Sequence, residues 1–280
     1  MRNISVCEII KNIKEMCIEA NHFLTDDVKE ALDNALSKEE SDVGKIVLTQ
    51  LQENLQIAAA DMIPICQDTG MTVVFMEIGQ DVHFVDGNLE DSIHEGVRQG
   101  YIEGYLRKSV VKDPVRRGNT GDNTPAMIYT EIVPGENVKI TVGPKGFGSE
   151  NMSAIRMFKP SHGIEGIKDF IIETVETAGP NPCPPIVVGV GIGGPFEKAA
   201  QLSKFALMRD VGGHNADARY AQLEDELLQR INALQIGPAG LGGKTTALAV
   251  HVEWFPTHIA GLPVAVNICC HAYRHSSVTL

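Results

Sequence analysis

Apolar residues first recur at steps of three and four, Val6, Ile9, Ile10, Ile13, Met16 and Cys17, which predicts a helix over about residues 5–20. Thr25-Asp26-Asp27 is a start signal ahead of Val28, Ala31, Leu32 and Leu36, and a third helical segment runs from about 40 to 60. From Met71 the period falls to two. MTVVFMEI and VHFV read as a hairpin or paired strands, and a helix follows near Leu89–Leu106. MIYTEIV and NVKITVG read as a second strand pair joined by the turn Pro134-Gly135-Glu136-Asn137. Next come a helix at about 161–178, the apolar strand IVVGVGI, helices at about 195–208 and 216–233, and the strands TTALAVHVEW and PVAVNIC. No Ser/Gly linker, low-complexity tract or internal repeat interrupts the chain. The expected class is α/β: one mixed-sheet domain over residues 1–280, with a helical N-terminal lobe over about 1–62 and a mixed α/β body over about 63–280.

Composition narrows the functional classes. With 36 acidic against 24 basic residues the formal net charge is -12, which argues against nucleic acid and anionic membranes as partners. An anionic small substrate then needs a local basic pocket. No window holds the roughly 18 apolar residues of a membrane span. Glu8, Lys11 and Lys14 lie where a signal peptide has its apolar run, so the expected location is the cytoplasm.

Two glycine-rich segments imitate nucleotide sites. Gly189-Val190-Gly191-Ile192-Gly193-Gly194 matches G-x-G-x-x-G between a strand and a helix. Pro195 and Phe196 follow at once, however, and no companion βαβ unit precedes it. An NAD-dependent oxidoreductase is therefore the weaker alternative to a tight turn whose backbone approaches something closely. In the segment from Gly237 to Thr245 the first glycine required of a phosphate loop falls on Pro238. What survives there is a loop with free N–H groups and Lys244, suited to an anion or an interface.

The six cysteines read as reduced thiols. Cys7 and Cys17 fall in the first helical pattern and are expected in the core. Cys66, Cys183, Cys269 and Cys270 each lie where an apolar run meets a turn rich in Gly, Pro or Asn. Cys66, Cys183 and one of the last two lack the C-x-x-C pairing of zinc ribbons. Three thiolates can hold an iron–sulfur cube with one iron open to a substrate oxygen, while the plainer alternative is a non-catalytic scaffold with scattered structural thiols.

The segments Ile65-Cys66-Gln67-Asp68-Thr69-Gly70, Asn181-Pro182-Cys183-Pro184-Pro185, Gly237 to Thr246 and Cys270-His271-Ala272-Tyr273-Arg274 together resemble the alpha region of the class I, iron–sulfur fumarate hydratase and L-tartrate dehydratase family. The resemblance spans roughly residues 8–276. It implies a 4Fe-4S cluster on Cys66, Cys183 and Cys270, the last preferred to Cys269 because that thiol directly precedes His271-Ala272-Tyr273-Arg274. Adjacent side chains in an extended segment also point to opposite faces. The implied activity is a hydro-lyase reaction, reversible hydration of fumarate to malate, with L-tartrate dehydration as the alternative. Implied substrate contacts are Gln67, Asp68, Arg107 and the backbone of Gly146 or Gly148, with Asp68 and His258 as catalytic candidates.

Each has a plainer reading. Asp68 can close an Asx turn, Arg107 can be a solvated cation at a helix end, and His258 can be a structural histidine. Arg116-Arg117 stay outside the set as loop arginines. The family's beta region supplies further arginines, a lysine and a hydroxyl implicated as base, none of which follows Leu280. The expectation is thus a separate beta subunit, a homodimer of alpha–beta units, and poor turnover by this chain alone.

Overall fold

The computed structural model describes residues 1–280. In chain order the elements are β1 (Arg2–Ser5), α1 (Val6–His22), α2 (Asp26–Lys38), α3 (Asp42–Asp61), β2 (Met71–Gly79), β3 (Val82–Val85), α4 (Leu89–Glu103), β4 (Met127–Val133), β5 (Val138–Lys145) and the single turn α5 (Phe147–Glu150). They continue with β6 (Ala154–Phe158), α6 (Gly163–Ala178), β7 (Ile186–Gly193), α7 (Phe196–Ala206), α8 (Ala218–Asn232), β8 (Ala247–Phe255), β9 (Leu262–Cys269) and β10 (Ser276–Thr279). The fold is α/β with mixed sheets. The chain forms two compact units, one from residues 1–25, 55–147 and 274–280, the other from 26–54 and 148–273. The helices of the first 62 residues are divided between them.

In the first unit, Ser5 caps α1 by accepting the Cys7 N–H at 3.3 Å, and Asn88 caps α4 through the Asp91 N–H at 3.0 Å. The apolar stripe Ile9, Ile13, Met16 and Cys17 joins Ile93, Val97 and Tyr101 of α4 in one core with Val74, Met76, Ile140 and Val142. Cys7 departs from its expected burial. It is exposed, because the buried stripe runs through Val6, Ile9 and Ile13 and leaves the second helical residue on the outer face.

The two expected strand pairs are also corrected. β3 pairs not with β2 but with β1, in parallel, and β4 and β5 flank β2 in the order β10-β5-β2-β4. β4 runs parallel to β2 and β5 antiparallel, so the Pro134–Asn137 turn wraps the end of β2. The backbone there shows why: the Gly79 N–H donates to the Asn137 carbonyl at 2.8 Å and the Asp81 N–H to the Gly135 carbonyl at 2.9 Å. A turn residue pattern marks a reversal of direction but does not say which strand lies between its arms.

The second unit is built on a sheet of order β6-β9-β7-β8, with β7 parallel to β8 and antiparallel to β9. Val188 and Val190 of β7 join Ile171 of α6 and Leu227 and Ile231 of α8 in the larger core. The opposite face of β7 carries Gly189 and Gly191, against which α7 is pressed. No helix in either unit is long and apolar enough to cross a membrane.

Candidate active site

The first unit presents Cys66, Gln67 and Asp68 on a loop ahead of β2, with Cys66 half-buried and Gln67 exposed. Asp68 organises this loop. Its N–H donates to the Cys66 sulfur at 3.4 Å, its Oδ1 accepts the Gly70 N–H at 2.9 Å, and its Oδ2 accepts the Phe147 N–H at 2.8 Å. The Asx turn is therefore real, and the same carboxylate also ties down the turn after β5 that carries Gly146. A Cβ on Gly146 would lie 3.3 Å from Asp68 Oδ2, whereas one on Gly148 would meet nothing within 4 Å. Gly70 has no alternative residue: its φ is +73°, and a Cβ would sit 2.5 Å from the Lys145 backbone.

A buried polar frame holds the loop from behind. The Tyr101 hydroxyl donates to the carbonyls of Thr69 and Gly70 at 2.6 and 3.1 Å. Burial, and secondly the nearby Cys17, raise that hydroxyl well above the ordinary tyrosine value and keep it a donor. Asn123, fully buried, donates to the Gly70 carbonyl at 3.1 Å and accepts the Ser109 and Val110 N–H groups at 2.7 and 3.2 Å. The Thr69 hydroxyl donates to the Arg107 carbonyl at 3.1 Å, which fixes the backbone of Arg107 and leaves its side chain exposed. Arg274 Nη2 donates to the Asp68 carbonyl. The structure thus brings Cys66, Asp68, Gly146 and the Arg107 backbone into one hydrogen-bonded assembly.

In the second unit Cys183 is tied to His271, the residue that follows Cys270. The Cys183 carbonyl accepts His271 Nδ1–H at 3.1 Å and the His271 N–H at 3.4 Å. Cys183 itself has φ +56°, a left-handed conformation that a non-glycine residue adopts only when its surroundings impose it. Here the Pro184 carbonyl accepts the Ala239 N–H at 2.8 Å, so the glycine-rich loop braces the cysteine turn. Cys269, 6% exposed, ends β9 opposite Val187 and is packed in the sheet, while Cys270 is half-buried. His258 lies elsewhere. Val187 pairs with Cys269 and Gly193 with Phe255, so the length of β7, roughly 20 Å, separates the His258 end of the sheet from the cysteine end. The exposed His258 accepts the Ala260 N–H at its Nδ1 (3.2 Å), which leaves Nε2 to carry the proton of the neutral ring.

The glycine motifs resolve into structural work. A Cβ on Gly189 or Gly191 would lie 2.3 and 2.1 Å from the carbonyls of Ser203 and Ala199, so these glycines serve the close packing of α7 on β7. The loop at Gly237–Thr245 does cradle an anion, and the anion is Glu39. Its carboxylate, 3% exposed, accepts the N–H groups of Lys244 (2.9 Å), Thr245 (3.3 Å), Glu40 (3.0 Å) and Ser41 (3.0 Å). Burial alone would raise the Glu39 pKa, but those four donors outweigh it and hold the carboxyl below its ordinary range. Glu39 carried no motif. The signal that could have found it was the empty anion cradle itself, a loop in need of a carboxylate.

As a donor set, the three motif-borne cysteines suit an iron–sulfur cluster: one exposed and two half-buried thiols, one already receiving an N–H···S bond of the kind that tunes such clusters. No three His, Cys, Asp or Glu side chains gather as they would around a single ion.

Comparison with known proteins identifies the family. The family model described as "Fumarate hydratase (Fumerase)" matches residues 10–279. The chain therefore belongs to the fumarate hydratase family of hydro-lyases. Among its relatives, a Methanocaldococcus jannaschii protein named "Putative L(+)-tartrate dehydratase subunit alpha" is 44% identical over 269 residues, covering 94% of each chain. The L(+)-tartrate dehydratase subunit alpha of Escherichia coli K12 is 32% identical over 274 residues, covering 97% of this chain and 89% of the relative.

Proposed function

We propose that this chain is the alpha subunit of an iron–sulfur hydro-lyase that adds water reversibly to a four-carbon dicarboxylate, with Cys66, Cys183 and Cys270 as the thiolates that hold a 4Fe-4S cluster. The observation that carries this reading is the contrast among the thiols. Those three stand on turns at exposed or half-exposed positions, while Cys17 and Cys269 are packed inside. When bound, the cluster supplies a Lewis-acidic iron without a protein sulfur, which eases departure of hydroxide from the hydrated substrate. The chain's own residues supply grip and orientation. The exposed Arg107 guanidinium offers bidentate neutralisation of a carboxylate, and Gln67 and the open backbone at Gly148 offer neutral hydrogen bonds.

Asp68 already accepts two backbone N–H groups, so it acts better as an orienting acceptor for water or a partner hydroxyl than as an unaided base. The remaining proton-transfer group then belongs to a beta subunit, in keeping with the "subunit alpha" in the relatives' names. The family model's description supports fumarate as substrate, and the relatives' names support L-tartrate. In this reading His258 is no partner of Cys183 and Cys270 within one chain.

The test is an anaerobic preparation of the chain with and without its beta subunit, assayed for iron, sulfide, fumarate hydration and L-tartrate dehydration. Cys66→Ser, Cys183→Ser and Cys270→Ser should each abolish cluster loading, whereas Cys7→Ser, Cys269→Ser and His258→Asn should leave it intact. Full turnover by the alpha chain alone, or a wild-type protein without iron, would sink the proposal.

A further inference from the structure

Arg274 is a charged group that the proposed chemistry does not use. It is 4% exposed, its Nη2 donates to the Asp68 carbonyl, its Nε reaches the Pro144 carbonyl at 3.4 Å, and its Nη1 is buried with no partner. No carboxylate pairs with it. A guanidinium stays charged in a protein, and an unpaired buried charge is destabilising unless something anionic shares its surroundings. The surroundings here are the cysteine loop. Asp68 is held by Arg274 at its carbonyl, while its N–H points at the Cys66 sulfur and its carboxylate holds Gly70 and Phe147.

We infer that Arg274 is a positioning residue for Cys66: it locks Asp68 so that its N–H addresses the sulfur, and places a fixed positive charge behind a loop built to hold an anionic group. The inference rests on Cys66 being a cluster ligand, as proposed above. Its hold on Asp68 is a separate property of the protein without any cluster. Tyr101 and Asn123 grip the same loop at Thr69 and Gly70, whereas Arg274 holds it at the Asp68 carbonyl. The carbonyl of Pro144 gives Arg274 a second function, joining the loop to the end of β5. A lysine can replace the charge but lacks the planar fork that reaches two carbonyls.

The experiment compares wild type with Arg274→Lys and Arg274→Gln in two states of the full chain. In cluster-free protein, hydrogen exchange at the Asp68 and Gly70 amides should accelerate roughly tenfold or more in both variants, with exchange in the sheet of the second unit unchanged. After anaerobic loading, iron release to a chelator should be roughly 10–100-fold faster than in wild type, with Lys intermediate between Arg and Gln. Wild-type exchange at Asp68 in both variants would overturn the inference. So would an acceleration spread evenly over the first unit, which is the mark of a merely structural role. Cys66→Ser separates the two readings. If that variant keeps its iron, the ligand assignment fails, while the cluster-free exchange still judges Arg274.

Discussion

Replacing Glu39 by Gln tests whether an internal carboxylate fills the glycine-rich cradle. The two oxygens of Glu39 accept four backbone N–H groups, two of them local, from Glu40 and Ser41, and two from the distant loop, Lys244 and Thr245. Glutamine keeps one acceptor. If its oxygen stays on the local pair, its NH2 faces the donors of Lys244 and Thr245, and two charge-assisted bonds worth about 1.5–3 kcal/mol each are lost. With partial relaxation the expected loss is about 3 kcal/mol, or roughly 6–12 °C in Tm at about 2–4 °C per kcal/mol. Trp254, the only tryptophan, lies in the second unit with this loop, so its fluorescence in a urea titration reads the right transition. The pH dependence supplies an independent check. The folded-state pKa of Glu39 is depressed from 4.5, so its contribution is complete above that value and disappears as pH falls through the lower folded value. The gap between wild type and Glu39→Gln should therefore be widest at neutral pH and narrow as the solution is acidified. An unchanged urea midpoint at pH 7, or a gap that does not narrow in acid, would refute the assignment of Glu39 as the loop's anion.

Gly191→Ala should prevent α7 from seating on β7, since the new methyl would lie 2.1 Å from the Ala199 carbonyl; the expected cost is at least about 1–3 kcal/mol, read as loss of soluble protein or a lowered urea midpoint. The wild-type protein should show no saturable binding in a dinucleotide titration, since the glycines of that fingerprint serve helix–strand packing. Cys17 should resist alkylation in native protein at pH 8, because burial pushes its thiol up to about 12, while exposed Cys7 reacts; equal rates measured by mass spectrometry would contradict the packing of α1.

The helices were legible because their signals are local. The stripe from Val6 to Cys17 states its buried face, and Thr25-Asp26-Asp27 marks the start of α2, within a few residues. Strand partners were not legible. β1 has four residues, and its partner β3 lies about eighty positions away in the chain, with the Arg2 N–H meeting the Asp81 carbonyl at 2.7 Å. Likewise β2 separates β4 from β5 although only the four residues Pro134–Asn137 join them. Among the chemical residues, the motif cysteines could be singled out because each sits where a strand or loop meets a turn. Asn123 and Glu39 were hidden because their partners are backbone groups, which leave no trace in residue type.

The same distinction bears on how the candidate site is built. In the first unit the proposed substrate contacts, Gln67 and Arg107, are exposed, whereas the residues that fix their loops, Tyr101, Asn123 and Arg274, are almost fully buried. Asp68 stands between the two groups. Its carboxylate serves the turn through Gly70 and Phe147, and its N–H serves the Cys66 sulfur. An Asx turn and a functional residue are therefore not rival readings at this position. A carboxylate anchored at both oxygens loses little conformational freedom when a ligand arrives, and a thiol addressed by a fixed N–H is already oriented. Preorganisation of that kind needs rigid support more than it needs a particular reactive group. The strained backbone of Cys183, braced by a loop that Glu39 fills, follows the same logic in the second unit.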